Sequence, residues 1–281
     1  MTSQIKTVLL LGLLTGLMLL MGSLLGGRLG LLIALALAIA MNVGSYWFSD
    51  RIVLSMYRAR EVAPGDAPGL HRMVDELSAR AGIPKPRVFV IPQETPNAFA
   101  TGRNPEHGVV AVTEGIMRLL SPEELRGVIA HEIGHIKNRD ILVQSVAGVL
   151  GGAIVAVANM LQWGAIFGMG SSDDEGGGGI VGALLMAILA PIAAMLIQMA
   201  ISRSREYLAD DTGAALAGDP GSLAGALEKL GAWSGRIPMR GGNQATAHMF
   251  IVNPFSGSSV ASLFSTHPPM EKRIARLRGM A

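Results

Sequence analysis

The chain has 281 residues, of which 50% are hydrophobic and 16% charged, with no cysteine, and its mean hydropathy is +0.42. That composition is too apolar for an ordinary soluble protein and points to a membrane protein. The absence of cysteine excludes disulfides, thiol nucleophiles and cysteine metal ligands. A net charge of +2 and a pI near 9.1 do not argue for nucleic acid, because the basic residues fall beside apolar segments and form no stripe.

In chain order, residues 7–27 and 29–49 are two uncharged apolar runs separated only by Arg28. A bilayer-spanning helix needs about 20 residues, so each run can cross. The pair reads as an N-terminal transmembrane hairpin over 1–50. A cleaved signal peptide would have a shorter core and no second span directly behind it. Residues 51–140 have soluble character. Helical apolar spacing at Leu70, Met73, Val74 and Leu77 predicts a helix over 69–81, ended by Gly82 and Pro84. Short runs at 87–91, 97–101 and 108–112, bounded by Pro, Gly and Asn, predict a small sheet. Ser121-Pro-Glu-Glu then opens a helix with an N-cap, a first-turn proline and acidic residues at its positive end.

Residues 141–170 and 180–202 form a second apolar pair, split by SSDDEGGGG, and are read as a second transmembrane hairpin over 141–202. The first of these runs is longer than a bilayer requires and must tilt or overshoot. Residues 203–281 return to mixed composition. Lys6, Arg51, Arg58, Arg60, Lys137, Arg139, Arg203 and Arg205 flank the spans on one side, whereas the other side has Arg28 and the acidic loop Asp173, Asp174, Glu175. The excess of Lys and Arg predicts that both termini and the 51–140 region are cytosolic. The expected fold is a mainly α membrane protein: four transmembrane helices carrying an α+β catalytic domain, assembled from 51–140 and 203–281.

The chemistry lies in the helix that follows Ser121. His131-Glu-Ile-Gly-His135 places two imidazoles one turn apart on one helix face, the spacing that grips a single zinc ion while Glu132 reaches a water beside it. Chance predicts only about 0.005 such matches in a chain of this composition. Glu132 is then the general base, taking a proton from the attacking water and passing it to the leaving amine, with no covalent intermediate. Catalytic zinc takes three protein ligands. A metzincin would have a histidine at 141 and a glycine at 138, but those positions hold Ile and Asn. Glu206 is the candidate third ligand, and Asp210, one turn further on the same helix face, is placed to orient a zinc-bound histidine from behind. A solvated role for Glu206 beside Arg203 or Arg205 is the competing reading. His71, His107 and His248 lack ligand spacing and are read as structural or surface residues.

Four blocks of residues carry a resemblance: PNAFATG at 96–102, HEIGHIKNRD at 131–140, SRSREYLAD at 202–210 and FSTHPPMEKRI at 264–274. With the two N-terminal spans, they make the chain resemble the HtpX family of membrane zinc metalloproteases, relatives of the CAAX prenyl protease, over its whole length. The resemblance implies a zincin-like catalytic domain and one catalytic zinc. It also implies cleavage of membrane or misfolded proteins in quality control at an inner or cytoplasmic membrane. Asn97, Ala98, Phe99 and Ala100 become the strand to which an extended substrate adds, and His267 is placed close to the metal, where it serves the oxyanion or the open coordination position. Two other classes are weaker. A zinc-binding scaffold without proteolysis has no need of Glu132, and a transporter lacks any charged residue in the apolar segments, which offer only Gln144, Asn159, Gln198 and Pro191.

Overall fold

The computed structural model describes residues 3–151, 203–233, 236, 239, 244–253 and 268–280. The apolar run 180–202, residues 152–170 of the run before it and His267 lie outside the described residues.

Helix α1 (Ser3–Met56) is interrupted at Gly27, whose φ of 55° and ψ of −136° suit a residue without a side chain. The break folds the two arms against each other: Asn42 Nδ2 donates to Thr15 Oγ1 across the hairpin at 2.8 Å. Near the bend, Gly22 and Gly30 approach so closely that a side chain on either would strike the other's backbone, the small-residue packing expected where no water drives helices together. The second arm, Gly27–Met56, is long and apolar enough to cross a membrane. It turns large side chains outward: Leu29 is 69% exposed, Leu32 61% and Ile39 56%.

The sheet has strands β1 (Arg60–Glu61), β2 (Arg87–Ile91), β3 (Ala98–Thr101) and β4 (Val109–Thr113) in the order β1-β2-β4-β3. Strand β2 runs parallel to β4, and β3 pairs antiparallel with β4, leaving β3 at the edge. Alternation of side chains splits the strands between two cores. Val88, Ala98, Ala100, Val110 and Val112 face the main helical core. Phe89, Ile91, Phe99, Val109 and Ala111 face the foot of α1, where Val53, Leu54 and Tyr57 meet Phe250. The sheet therefore couples the apolar hairpin to the rest of the domain. The predicted strands all form within a residue of their expected bounds, whereas β1, only two residues long, carries no readable pattern.

The other α-helices among the described residues are α2 (Pro68–Ala81), α3 (Glu114–Leu119), α4 (Pro122–Lys137), α5 (Ile141–Gly151), α6 (Arg203–Ala217), α7 (Pro220–Trp233) and α8 (Met270–Arg278). Helix α4 is central: Val128, Ile129, Ile133 and Ile136 are fully buried, each worth about 1.5–3 kcal/mol relative to exposure. Helix α5 begins inside the domain, with Ile141, Val143, Val146 and Ala147 all inaccessible and Ser145 Oγ bonded to Thr101 Oγ1 of β3 at 2.7 Å.

Candidate metal centre

The start of α4 is set by a reciprocal cap. Ser121 Oγ accepts from the Glu124 amide at 3.3 Å, and Glu124 Oε2 accepts from the Ser121 amide at 2.8 Å, a device worth about 1 kcal/mol. From that start the helix turns His131 and His135 onto one face, with their Nε2 atoms 3.2 Å apart. Helix α6 crosses directly over them. Gly213 permits the approach, because a Cβ there would sit 2.8 Å from the backbone of His131.

The crossing delivers two carboxylates. Glu206 places Oε1 3.5 Å from His135 Nε2 and Oε2 3.9 Å from His131 Nε2. One turn later, Asp210 Oδ1 lies 3.0 Å from His131 Nδ1, within ion-pair reach although the N–H direction falls outside hydrogen-bond geometry. His131, Glu132, His135, Glu206 and Asp210 are all at most 4% exposed. One donor atom from each of His131, His135 and Glu206 can be chosen so that all three lie within 4.8 Å of one another. Two imidazoles and a carboxylate, gathered at that separation in a buried site, fit a divalent ion of borderline softness.

Three residues join the site that sequence reasoning did not assign. Arg273 on α8, fully buried, donates from Nε to Asp210 Oδ2 at 2.9 Å and from an Nη to Asp210 Oδ1 at 2.7 Å. Its guanidinium also reaches Glu206 Oε2 at 3.7 Å. The sequence marks α8 only as a basic helix; the available signal was Leu277, four residues on and equally buried, which puts Arg273 on the inward stripe. Asp140 stands 3.5 Å from His135 Nδ1, and Arg205 stands 3.4 Å from Asp140. Of the other histidines, His71 and His248 are buried and bond the carbonyls of Val62 and Gln144, both at 3.0 Å, while His107 is exposed.

Burial and these neighbours set the charges. Burial pushes the Glu132 carboxyl up to about 7, against the pull of His135 and with the push of Glu206. Burial also opposes the charged form of His135, but Glu206, Asp140 and Glu132 outweigh it and raise the imidazole to about 9. For His131 desolvation prevails over Asp210 and lowers its pKa. Asp210 is held below the usual carboxylate range: burial works against this, and His131 and Arg273 overcome it.

Edge strand β3 runs beside the centre, and Glu132 accepts a backbone hydrogen bond from Ala100. Asn97 and Phe99 turn inward. Asn97 Nδ2 donates to the Val252 carbonyl at 2.6 Å, and Phe99 packs edge-on against Phe250 with ring centroids 5.1 Å apart. The outward Ala98 carbonyl accepts from the Ile251 amide at 3.1 Å, so part of the edge is engaged by the chain itself.

An HExxH helix facing a glutamate-bearing helix, on a chain with an apolar membrane-length helix, defines the class as a membrane metallopeptidase. Residues 64–281 match the profile of peptidase family M48, and the chain belongs to that family. A protease HtpX homolog of Syntrophobacter fumaroxidans is 63% identical over 85% of this chain and 86% of its own length. The homolog of Persephonella marina is 61% identical over 99% of this chain and 97% of its own, and that of Pyrococcus furiosus is 61% identical over 86% and 83%. The structure of Ste24p from S. mikatae aligns with a TM-score of 0.49 at 18% identity, covering 98% of this chain and 65% of that one.

Proposed function

We propose that this membrane metallopeptidase is a zinc endopeptidase in which His131, His135 and Glu206 hold the ion, Glu132 is the general base and Asp210 orients His131. The observation that carries the reading is the buried convergence of the two imidazoles and Glu206 beside Glu132. Held by these three residues, zinc would supply Lewis acidity to the scissile carbonyl and to water, whose pKa it would bring toward neutrality. Glu132, with its own pKa near neutrality, takes the proton from the attacking water and returns it to the leaving amine. Asp210, with Oδ1 3.0 Å from His131 Nδ1, sets a negative charge beside that nitrogen and favours the tautomer that leaves Nε2 as the ligand atom. Arg273 binds both oxygens of Asp210 and fixes its plane.

Substrates in this reading are membrane or misfolded proteins in membrane quality control, bound as an added strand along Asn97, Ala98, Phe99 and Ala100, with the Ala98 carbonyl exchanging its bond to Ile251 for one to the substrate. Both termini and the catalytic domain are cytosolic, as the flanking Lys and Arg residues argue. His267 assists the oxyanion. The deciding experiment combines zinc content with cleavage of an unfolded protein by the detergent-purified chain, with and without chelator. Glu206→Gln should lose zinc, and His267→Ala should hurt turnover more than zinc content. If the Glu206 variant keeps one tightly held zinc while the His267 variant is metal-free, the third ligand is the histidine.

A further inference from the structure

The end of the catalytic helix holds a feature with no part in the scheme above. Helix α4 stops in a Schellman turn: the Arg139 amide donates to the Ile136 carbonyl at 3.1 Å and the Asp140 amide to the His135 carbonyl at 3.0 Å. The residue that makes the left-handed step is Arg139, at φ 58°. Glycine ordinarily fills that position because a Cβ is disfavoured there, and such residues persist where the surroundings over-determine them, often at functional sites. The turn reverses the chain and carries the Asp140 carboxylate back beside the imidazole one turn earlier. Asp140 Oδ2 lies 3.5 Å from His135 Nδ1, and the residue is 1% exposed. From α6, an Nη of Arg205 lies 3.4 Å from Asp140 Oδ1.

The arrangement repeats the one on His131. Each imidazole turns Nε2 toward Glu206 and Nδ1 toward a buried aspartate, and each aspartate is met by an arginine. We infer that Asp140 is the positioning residue of His135, accepting from Nδ1–H so that Nε2 is held as the ligand atom, with Arg205 steadying the carboxylate. The inference rests on the reading of His135 as a zinc ligand. Both arms meet on α6, which carries Arg205, Glu206 and Asp210 within six residues of sequence, so one helix positions the third ligand and both supports.

The test is zinc affinity by chelator competition on the full-length, detergent-purified protein, read beside the melting temperature of the metal-free form. Asp140→Asn should weaken zinc by about 10- to 100-fold and lower kcat with KM little changed. The metal-free melting temperature should fall no further than it does in His135→Ala, because asparagine keeps the turn and only the charge facing the imidazole is lost. Arg205→Gln should weaken zinc less, by under about 10-fold, and it tests the same arm if the Asp140 variant fails to fold. Arg139→Gly, which adopts the turn without strain, should keep wild-type zinc affinity. If Asp140→Asn and Arg205→Gln both bind zinc as wild type while His135→Ala is zinc-free, the inference is overturned and the zinc reading stands. An Asp140→Asn chain whose metal-free melting temperature falls well below that of His135→Ala also overturns it, since the role is then structural. Wild-type zinc affinity in His135→Ala would overturn the zinc reading itself.

Discussion

The second arm of α1 and the catalytic helix α4 are both helices rich in aliphatic residues, yet they use them in opposite ways. Only 17% of the most apolar window of Gly27–Met56 is buried, and its leucines and isoleucines point outward. Helix α4 instead buries its aliphatic side chains together with His131, Glu132 and His135. One helix has the surface that suits hydrocarbon as a solvent and needs little from its neighbours. The other brings ionisable groups into a protein interior, which is tolerable only because α6 sets carboxylates against the two imidazoles and His135 faces Glu132. Chemistry has to be sought where polar groups are buried, and hydropathy alone does not find that place.

The largest effect should come from the catalytic side. Glu132→Gln removes the base but no ligand, so cleavage of an unfolded protein should fall by about 100- to 10,000-fold while zinc content stays at the wild-type level. Turnover near wild type would end the general-base assignment. Next is a charge on the outward face of α1. Ile39→Lys should disfavour membrane insertion by about 3 kcal/mol, seen as loss of protein from the membrane fraction; the same substitution on a water-facing helix would be close to neutral. Unchanged membrane yield would erase the contrast between the two helices.

A smaller effect separates them by pH. Because His135 titrates at about 9 in the metal-free protein, zinc must displace its proton at neutral pH. Each proton released raises affinity with pH, so zinc affinity should climb about tenfold per unit between roughly pH 7 and 9 and flatten above. Chelator competition across that range measures the slope, and an affinity independent of pH would contradict the charged His135. The smallest effect is expected in the hairpin, where Asn42→Ala removes the bond to Thr15. Membrane interhelical hydrogen bonds are worth about 0.6 kcal/mol, so the thermal midpoint should move only slightly. A large loss would mean that the hairpin depends on polar partners as α4 does.

Much of the chemistry was legible because it is local. His131 and His135 sit one turn apart on one helix with Glu132 beside them in sequence, so helical geometry brings the two imidazoles to one face before any tertiary contact forms. The cap at Ser121 and the short apolar runs at 87–91 and 108–112 are local for the same reason. Phe99 and Asn97 show the limit: strand position was readable, but whether their side chains meet a substrate or the core depends on Phe250 and Val252, far along the chain.

The sequence by itself determined the class of the protein: an apolar chain without cysteine, a helix with two histidines around a glutamate, and a later helix with Glu206 and Asp210 one turn apart. Only the tertiary structure decided which residues stand behind the ligands. Arg273 looks like one base in a basic helix until α8 packs against α6, and Asp140 looks like the end of a helix until a left-handed step at Arg139 returns it to His135. The physical reason is range. Periodicity reports what one helix puts on one face, whereas the charge that makes a buried histidine or aspartate tolerable is supplied across a packing interface, from residues that no repeat in the sequence connects to it.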